Sequence, residues 1–199
     1  MTGRLTKVGV ALLLAATAAS VSAQYGSSGL AFLKAVKDRD GSKATELLRA
    51  DGSTVANFTD DKGDGALHIV VARRDDEWLG FMLGNKADPN AQNRAGDTPL
   101  ILAARVGYLD GANLLLRTGA KVDLANRLGE TPLIIAVQQR NAALVRQLLE
   151  AGANPDKTDN ASGRSARDYA KLDRRSTELT KLIETTKAPA RASVAGPKL

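Results

Sequence analysis

One stretch of this chain is written twice. Asn93-Arg94-Ala95-Gly96-Asp97-Thr98-Pro99-Leu100 is followed, 33 residues later, by Asn126-Arg127-Leu128-Gly129-Glu130-Thr131-Pro132-Leu133. Each copy continues to a leucine pair and then Gly-Ala, at Leu115-Leu116 with Gly119-Ala120 and at Leu148-Leu149 with Gly152-Ala153. A fixed period of this length means one supersecondary unit repeated and stacked, because a single unit cannot bury its own apolar face.

The chemistry of one copy predicts two helices. Thr98 can cap a helix and Pro99 fits its first turn, where a missing N–H is no loss. Leu100, Ala103 and Ala104 follow at helical spacing, and the small residues let a neighbouring helix come close. Gly107 can take the left-handed conformation that ends a helix. The spacing predicts a second helix over Leu109–Arg117, stopped by Gly119. Between helix pairs, a Gly-Ala-x-x-Asp run leading to Asn-x-x-Gly reads as an extended arm and a tight turn.

The 33-residue step, the Thr-Pro-Leu head and the Gly-Ala close agree in phase, and together they resemble the ankyrin repeat. The resemblance implies an all-α solenoid of about five helix pairs including caps. On that register the repeats fall at 30–57 (an irregular first cap), 58–90, 91–123, 124–156 and 157–184 (the closing cap). The 58–90 copy is degenerate: Gly65-Ala66 stands for Thr-Pro, which weakens the helix start. Arg74, and later Arg140, replaces the helix-ending glycine. The last copy carries one inserted residue, since Gly163 lies 34 after Gly129, and its second helix is expected over Thr177–Glu184.

The ends of the chain read differently. Arg4 and Lys7 precede an apolar run and the small residues Val21-Ser22-Ala23, the order of a secretory signal peptide over 1–23, too short to span a bilayer. Residues 24–29 read as a Gly/Ser-rich lead-in, and 185–199, with Pro189, Pro197 and no acidic residue, as a disordered basic tail. Of the formal charge of +6, Arg4 and Lys7 supply two and Lys187, Arg191 and Lys198 three, which leaves +1 on the array. That balance argues against a nucleic-acid partner, which needs a basic patch on the fold itself. With no Cys and one His the usual zinc ligand sets are excluded, and the Asp60-Asp61-Lys62-Gly63-Asp64 run misses the calcium-loop pattern. No cofactor or metal is expected.

His68 follows Leu67 where the family often carries a histidine that ties neighbouring turns together, so a structural role is expected rather than a catalytic triad. Trp78 is expected to pack over Gly111 of the next repeat. The family binds partners through its turn tips and the exposed side of each first helix, the concave face. Carried onto this sequence, the tip candidates are Arg94, Asp97, Arg127, Leu128 and Glu130, and the helix candidates Arg73, Arg105 and Gln138. Residues one period apart should stand side by side, so the four arginines are expected to gather on one surface able to pair with carboxylates. The expectation is a monomeric, non-catalytic, exported protein of the bacterial periplasm, or one secreted, that binds another exported protein to support or neutralise it. The competing expectations are an enzyme with a carboxylate site on the same scaffold and a structural protein of the cell envelope.

Overall fold

In the computed structural model, which describes residues 27–173, 175 and 177–185, the chain is a single stack of antiparallel helix pairs. The expected signal segment 1–23, residues 24–26 of the lead-in and residues 186–199 of the tail lie outside the described residues. Helix α1 covers 27–38 and pairs with α2 (Gly41–Asp51), followed by the short α3 (Ser53–Ala56). The next pairs are α4 (Ala66–Ala72) with α5 (Asp76–Gly84), α6 (Pro99–Val106) with α7 (Leu109–Arg117), and α8 (Pro132–Gln138) with α9 (Ala142–Glu150). The last pair is α10 (Ala166–Leu172) with α11 (Thr177–Glu184). First helices pack in the row α4, α6, α8, α10 and second helices in the row α5, α7, α9, α11. Among the described residues the only β-pairing is two isolated antiparallel bridges, Thr59 with Gly65 and Thr158 with Ser165.

The local signals explain where these helices begin and stop. Thr98 and Thr131 side chains accept the amides of Ile101 (3.1 Å) and Ile134 (3.2 Å), with proline in the first turn of each helix. Gly107 closes α6 in the left-handed region, at φ 65°. Ser165 and Asp168 form a reciprocal capping box at α10. At α4, Gly65 has no side chain with which to cap, and His68 supplies half a box by accepting the Gly65 amide at 3.1 Å.

The core is one row of aliphatic side chains running through the stack. Leu100, Ile101, Ala103 and Ala104 are buried on α6, and Leu133 through Val137 on α8. Leu115, Leu144, Leu148 and Leu179 cover them from the second helices with no exposed surface.

Two expectations need correction. Residues 27–29 belong to α1 and not to a loose lead-in: Gly29 lies against the Phe58 ring, so close that a Cβ there would be 2.2 Å from it. Trp78 does not rest on Gly111. The Tyr108 ring does, within 2.1 Å of where a Cβ would stand, drawn there by its hydroxyl donating to the Asp76 carboxylate. Trp78 instead meets Phe81 edge-on at 5.7 Å and carries the Arg73 guanidinium 5.4 Å above its ring. The arginines at helix-ending positions fasten one repeat to the next. Arg39, Arg74 and Arg140 adopt φ of 59°, 57° and 54°, a strained choice for a residue with a side chain. Each reaches the following repeat: Arg39 to Asp75 (2.8 Å), Arg74 to the Gly107 carbonyl (2.9 Å) and Arg140 to Asp173 (2.5 Å). The strain is offset by contacts that set the register between repeats.

Candidate functional site

The turn tips are each folded around one Asx side chain. Asp60 Oδ1 accepts the amides of Lys62 and Asp64, Asn93 Oδ1 those of Ala95 and Asp97, and Asn126 Oδ1 those of Leu128 and Glu130. In the last tip Asp159 Oδ1 accepts from Ser162 (2.6 Å) and Gly163 (3.1 Å), which accommodates the inserted residue. The two arms of each tip are joined by a backbone bond, from Asp60 N to Asp64 O, Asn93 N to Asp97 O, Asn126 N to Glu130 O and Asp159 N to Arg164 O.

Successive tips are then bonded to one another. The amides of Arg94, Arg127 and Asn160 donate to the carbonyls of Lys62, Ala95 and Leu128, at 3.0, 3.1 and 2.8 Å. Gly63, Gly96 and Gly129 sit at positive φ, and a Cβ on any of them would come within 2.7 Å of the next tip's amide nitrogen. Glycine is therefore required there twice, for the turn and for the close approach. Asn93 and Asn126 side-chain amides donate to the carboxylates of Asp64 (2.8 Å) and Asp97 (2.9 Å) in the preceding tip. His68 joins the same ladder, donating Nε2–H to the Asp97 carbonyl at 3.0 Å while Nδ1 accepts from Gly65, as the family resemblance implied.

A second ladder runs at the other end of the repeats. Asn57 bridges the Lys86 carbonyl and the Asp88 amide, Asn90 bridges the Gly119 carbonyl and the Lys121 amide, and Asp123 accepts the Asn154 amide. Sequence reasoning missed these residues, although their own 33-residue step was the signal that could have found them.

Against this frame the candidate residues divide. Arg94 and Arg127 stand exposed on adjacent tips, and their guanidinium groups meet no carboxylate among the described residues. Leu128 lies next to Arg127, 56% exposed. Gln138 ends α8 facing solvent. Asp97 is buried and Glu130 half-buried. The Asp97 carboxylate accepts from Arg105 (3.1 Å) and Asn126, and that of Glu130 accepts from Asn126 (2.9 Å) and lies 3.9 Å from Arg105. These two acids hold the tips together, and Arg105 clamps one tip to the next. Arg73 is not in the cluster. It turns back to the first repeat, donating to the Val36 carbonyl at 2.5 Å and to Asp75 at 2.9 Å. So the structure brings Arg94, Arg127, Leu128 and Arg105 to one edge and takes Arg73 away from it.

The electrostatics follow the ladders. Burial would raise Asp75, but the Trp78 amide and the Arg73 and Arg39 guanidiniums outweigh it and hold the carboxyl below its ordinary range. Asp159 is likewise desolvated, yet hydrogen bonds from Tyr169 (2.6 Å), Ser162 and Gly163 bring it down to about 2. Burial first, and the Asp76 carboxylate second, push the Tyr108 phenol well up. Each shift belongs to a structural contact. No group of three or more His, Cys, Asp or Glu among the described residues could hold a metal ion. No described helix is long and apolar enough to cross a membrane.

The family model for ankyrin repeats (three copies) matches residues 32–126 and 67–159. An ankyrin repeat-containing protein of Treponema pallidum (strain Nichols) is 33% identical over 135 residues, covering 67% of this chain and 45% of that protein. The transient receptor potential cation channel subfamily A member 1 homolog of Caenorhabditis elegans is 31% identical over 111 residues, 56% of this chain and 9% of its own. The E3 ubiquitin-protein ligase XBAT33 of Arabidopsis thaliana is 31% identical over 90 residues, 45% of this chain and 18% of its own. The chain thus spans less than half the length of each of these relatives.

Proposed function

This chain belongs to the ankyrin-repeat family, whose repeats are modules of protein–protein interaction, and on that premise we propose that it is a non-catalytic binder of an exported protein partner. The binding face is the edge of tips that carries Arg94, Arg127 and Leu128, with Arg105 and Gln138 beside it. The observation behind this reading is the contrast between two kinds of arginine. Arg39, Arg73, Arg105, Arg140 and Arg167 each meet a carboxylate of the chain itself, whereas Arg94 and Arg127 stand exposed on adjacent tips with no carboxylate of the described residues against them. Exposed charges of this sort add little to stability, and charge complementarity steers association. The order of residues in 1–23 supports export and a periplasmic location. Support of an exported enzyme, or neutralisation of a toxin, is the role that fits such a protein.

The protein has no cysteine, so Leu128→Cys creates a unique attachment point for a cross-linker on this face. In a native envelope extract this variant should capture one protein, and Glu150→Cys, at the end of α9, should not. Equal capture from both positions, or capture only from Glu150→Cys, contradicts the assigned face. The mass of the isolated protein checks export separately: a chain beginning at Gln24 supports it, and one retaining Met1 overturns it.

A further inference from the structure

The ladder of tips has an end. In the first three tips one backbone carbonyl, of Lys62, Ala95 or Leu128, accepts the amide of the next tip, at 3.0, 3.1 and 2.8 Å. The tip glycine shows how close that neighbour lies: a Cβ on Gly63, Gly96 or Gly129 would stand 2.7 Å from its amide nitrogen. The fourth tip, 159–165, has the same positive-φ glycine, Gly163, yet a Cβ there would meet nothing within 4 Å. The carbonyls of Ala161 and Ser162 accept no hydrogen bond among the described residues, and residues 160–164 are all exposed. The ladder at the other end of the repeats is closed: Asp156, in the place of Asn57, Asn90 and Asp123, takes Arg167 at 2.6 Å. A backbone edge with unused carbonyls is a template for an extended segment that supplies N–H groups.

The joints between earlier tips show what such a neighbour brings. The Asn93 side chain donates to the Asp64 carboxylate and that of Asn126 to Asp97, each from the residue just before the bonded amide of Arg94 or Arg127. A joint therefore consists of one side chain and one backbone N–H on adjacent residues. Asp64, Asp97 and Glu130 each stand immediately before the residue that starts a first helix, and in the last tip that place belongs to Arg164. The sign is reversed there, and the side chain that fits is a carboxylate. Arg164 forms no ion pair among the described residues; Asp168 feels its charge but keeps Oδ2 on the Ser165 amide and hydroxyl. Residues 186–199 of the chain itself contain no acidic side chain, so that carboxylate comes from another molecule.

We infer that the outer edge of the fourth tip takes an extended acidic segment of the protein partner. Its Asp or Glu meets Arg164, and the N–H of the residue after that acid donates to the free carbonyl of Ala161 or Ser162. This rests on the reading of the chain as a protein binder, and it gives that binder a contact separate from Arg94 and Arg127.

The test follows the backbone amide and carbonyl NMR signals of Ala161–Arg164 in the full chain while three capped hexapeptides are titrated in. These are acetyl-Thr-Thr-Asp-Val-Thr-Thr-amide, the same peptide with lysine for the aspartate, and the same peptide with N-methylvaline for the valine. The aspartate peptide should shift these signals saturably, and the other two should bind about tenfold more weakly. Arg164→Gln should abolish the preference for aspartate over lysine, and Arg164→Glu should invert it. Absence of a saturable shift, equal binding of any two of these peptides to the wild type, or a preference that survives Arg164→Glu overturns the inference. The cross-linked native partner separates the two readings. If it is weakened by Arg94→Glu/Arg127→Glu and not by Arg164→Glu, the inference fails and the binding face stands. If it is weakened by Arg164→Glu and not by the double variant, the inference stands and the face assigned to Arg94 and Arg127 falls.

Discussion

The imidazole of His68 stands between two repeats, its Nε2–H donating to the Asp97 carbonyl at 3.0 Å and its Nδ1 accepting the Gly65 amide at 3.1 Å. The residue is 1% exposed. Its two bonds make up for the missing cap at the start of α4. His68→Leu would keep the volume and orphan a buried amide and a buried carbonyl, each worth about 1–3 kcal/mol. Urea denaturation should show a loss in that range or above it, and amide exchange should show 60–90 opening ahead of 93–156. A variant as stable as the wild type would remove His68 from the ladder.

The tip glycines make a paired comparison. Gly129 and Gly163 both have positive φ, 76° and 65°, but a Cβ at Gly129 would fall 2.7 Å from the Asn160 amide nitrogen and one at Gly163 would meet nothing within 4 Å. Gly163→Ala should lose only the conformational term, about 1–2 kcal/mol. Gly129→Ala should lose more, because the neighbouring backbone must also move. Thermal unfolding of the two variants side by side gives the order.

Acid should loosen the last repeat. The Asp159 carboxyl lies below its ordinary 3.8, at about 2, because hydrogen bonds to the charged form outweigh its desolvation. A depressed carboxyl contributes stability that is whole above the unfolded value and is lost as pH falls through the folded one. Unfolding of the closing repeat should therefore become easier between about pH 4 and pH 2. Asp159→Asn, which no longer titrates, should flatten that dependence while lowering stability at neutral pH. Hydrogen exchange of 157–184 followed across this interval is the measurement.

The sequence made the helix pairs legible wherever their boundaries are chemical. Thr-Pro before α6 and α8, and the left-handed Gly107 after α6, act within a few residues. What it hid depends on contacts across the stack. Residues 27–29 extend α1 where Gly29 meets the Phe58 ring, and the Tyr108 ring, not that of Trp78, covers Gly111. Arg73 and Arg94 look alike in the sequence, yet the side chain of one is fastened to a carbonyl 37 residues earlier and that of the other stands exposed, meeting no carboxylate among the described residues. Asp97 and Glu130 were placed on the correct tips, but only the geometry shows them turned inward to Asn126 and Arg105.

The central claim is that Arg94 and Arg127 receive an acidic protein partner, and titration calorimetry with the cross-linked partner, purified, tests it most directly. The double variant Arg94→Glu/Arg127→Glu should melt within a few degrees of the wild type, since surface substitutions usually change stability by no more than about 0.5 kcal/mol. Its affinity should fall at least tenfold, about 1.4 kcal/mol, and the difference should shrink as salt is raised. An unchanged affinity at low salt in a folded double variant would contradict the account.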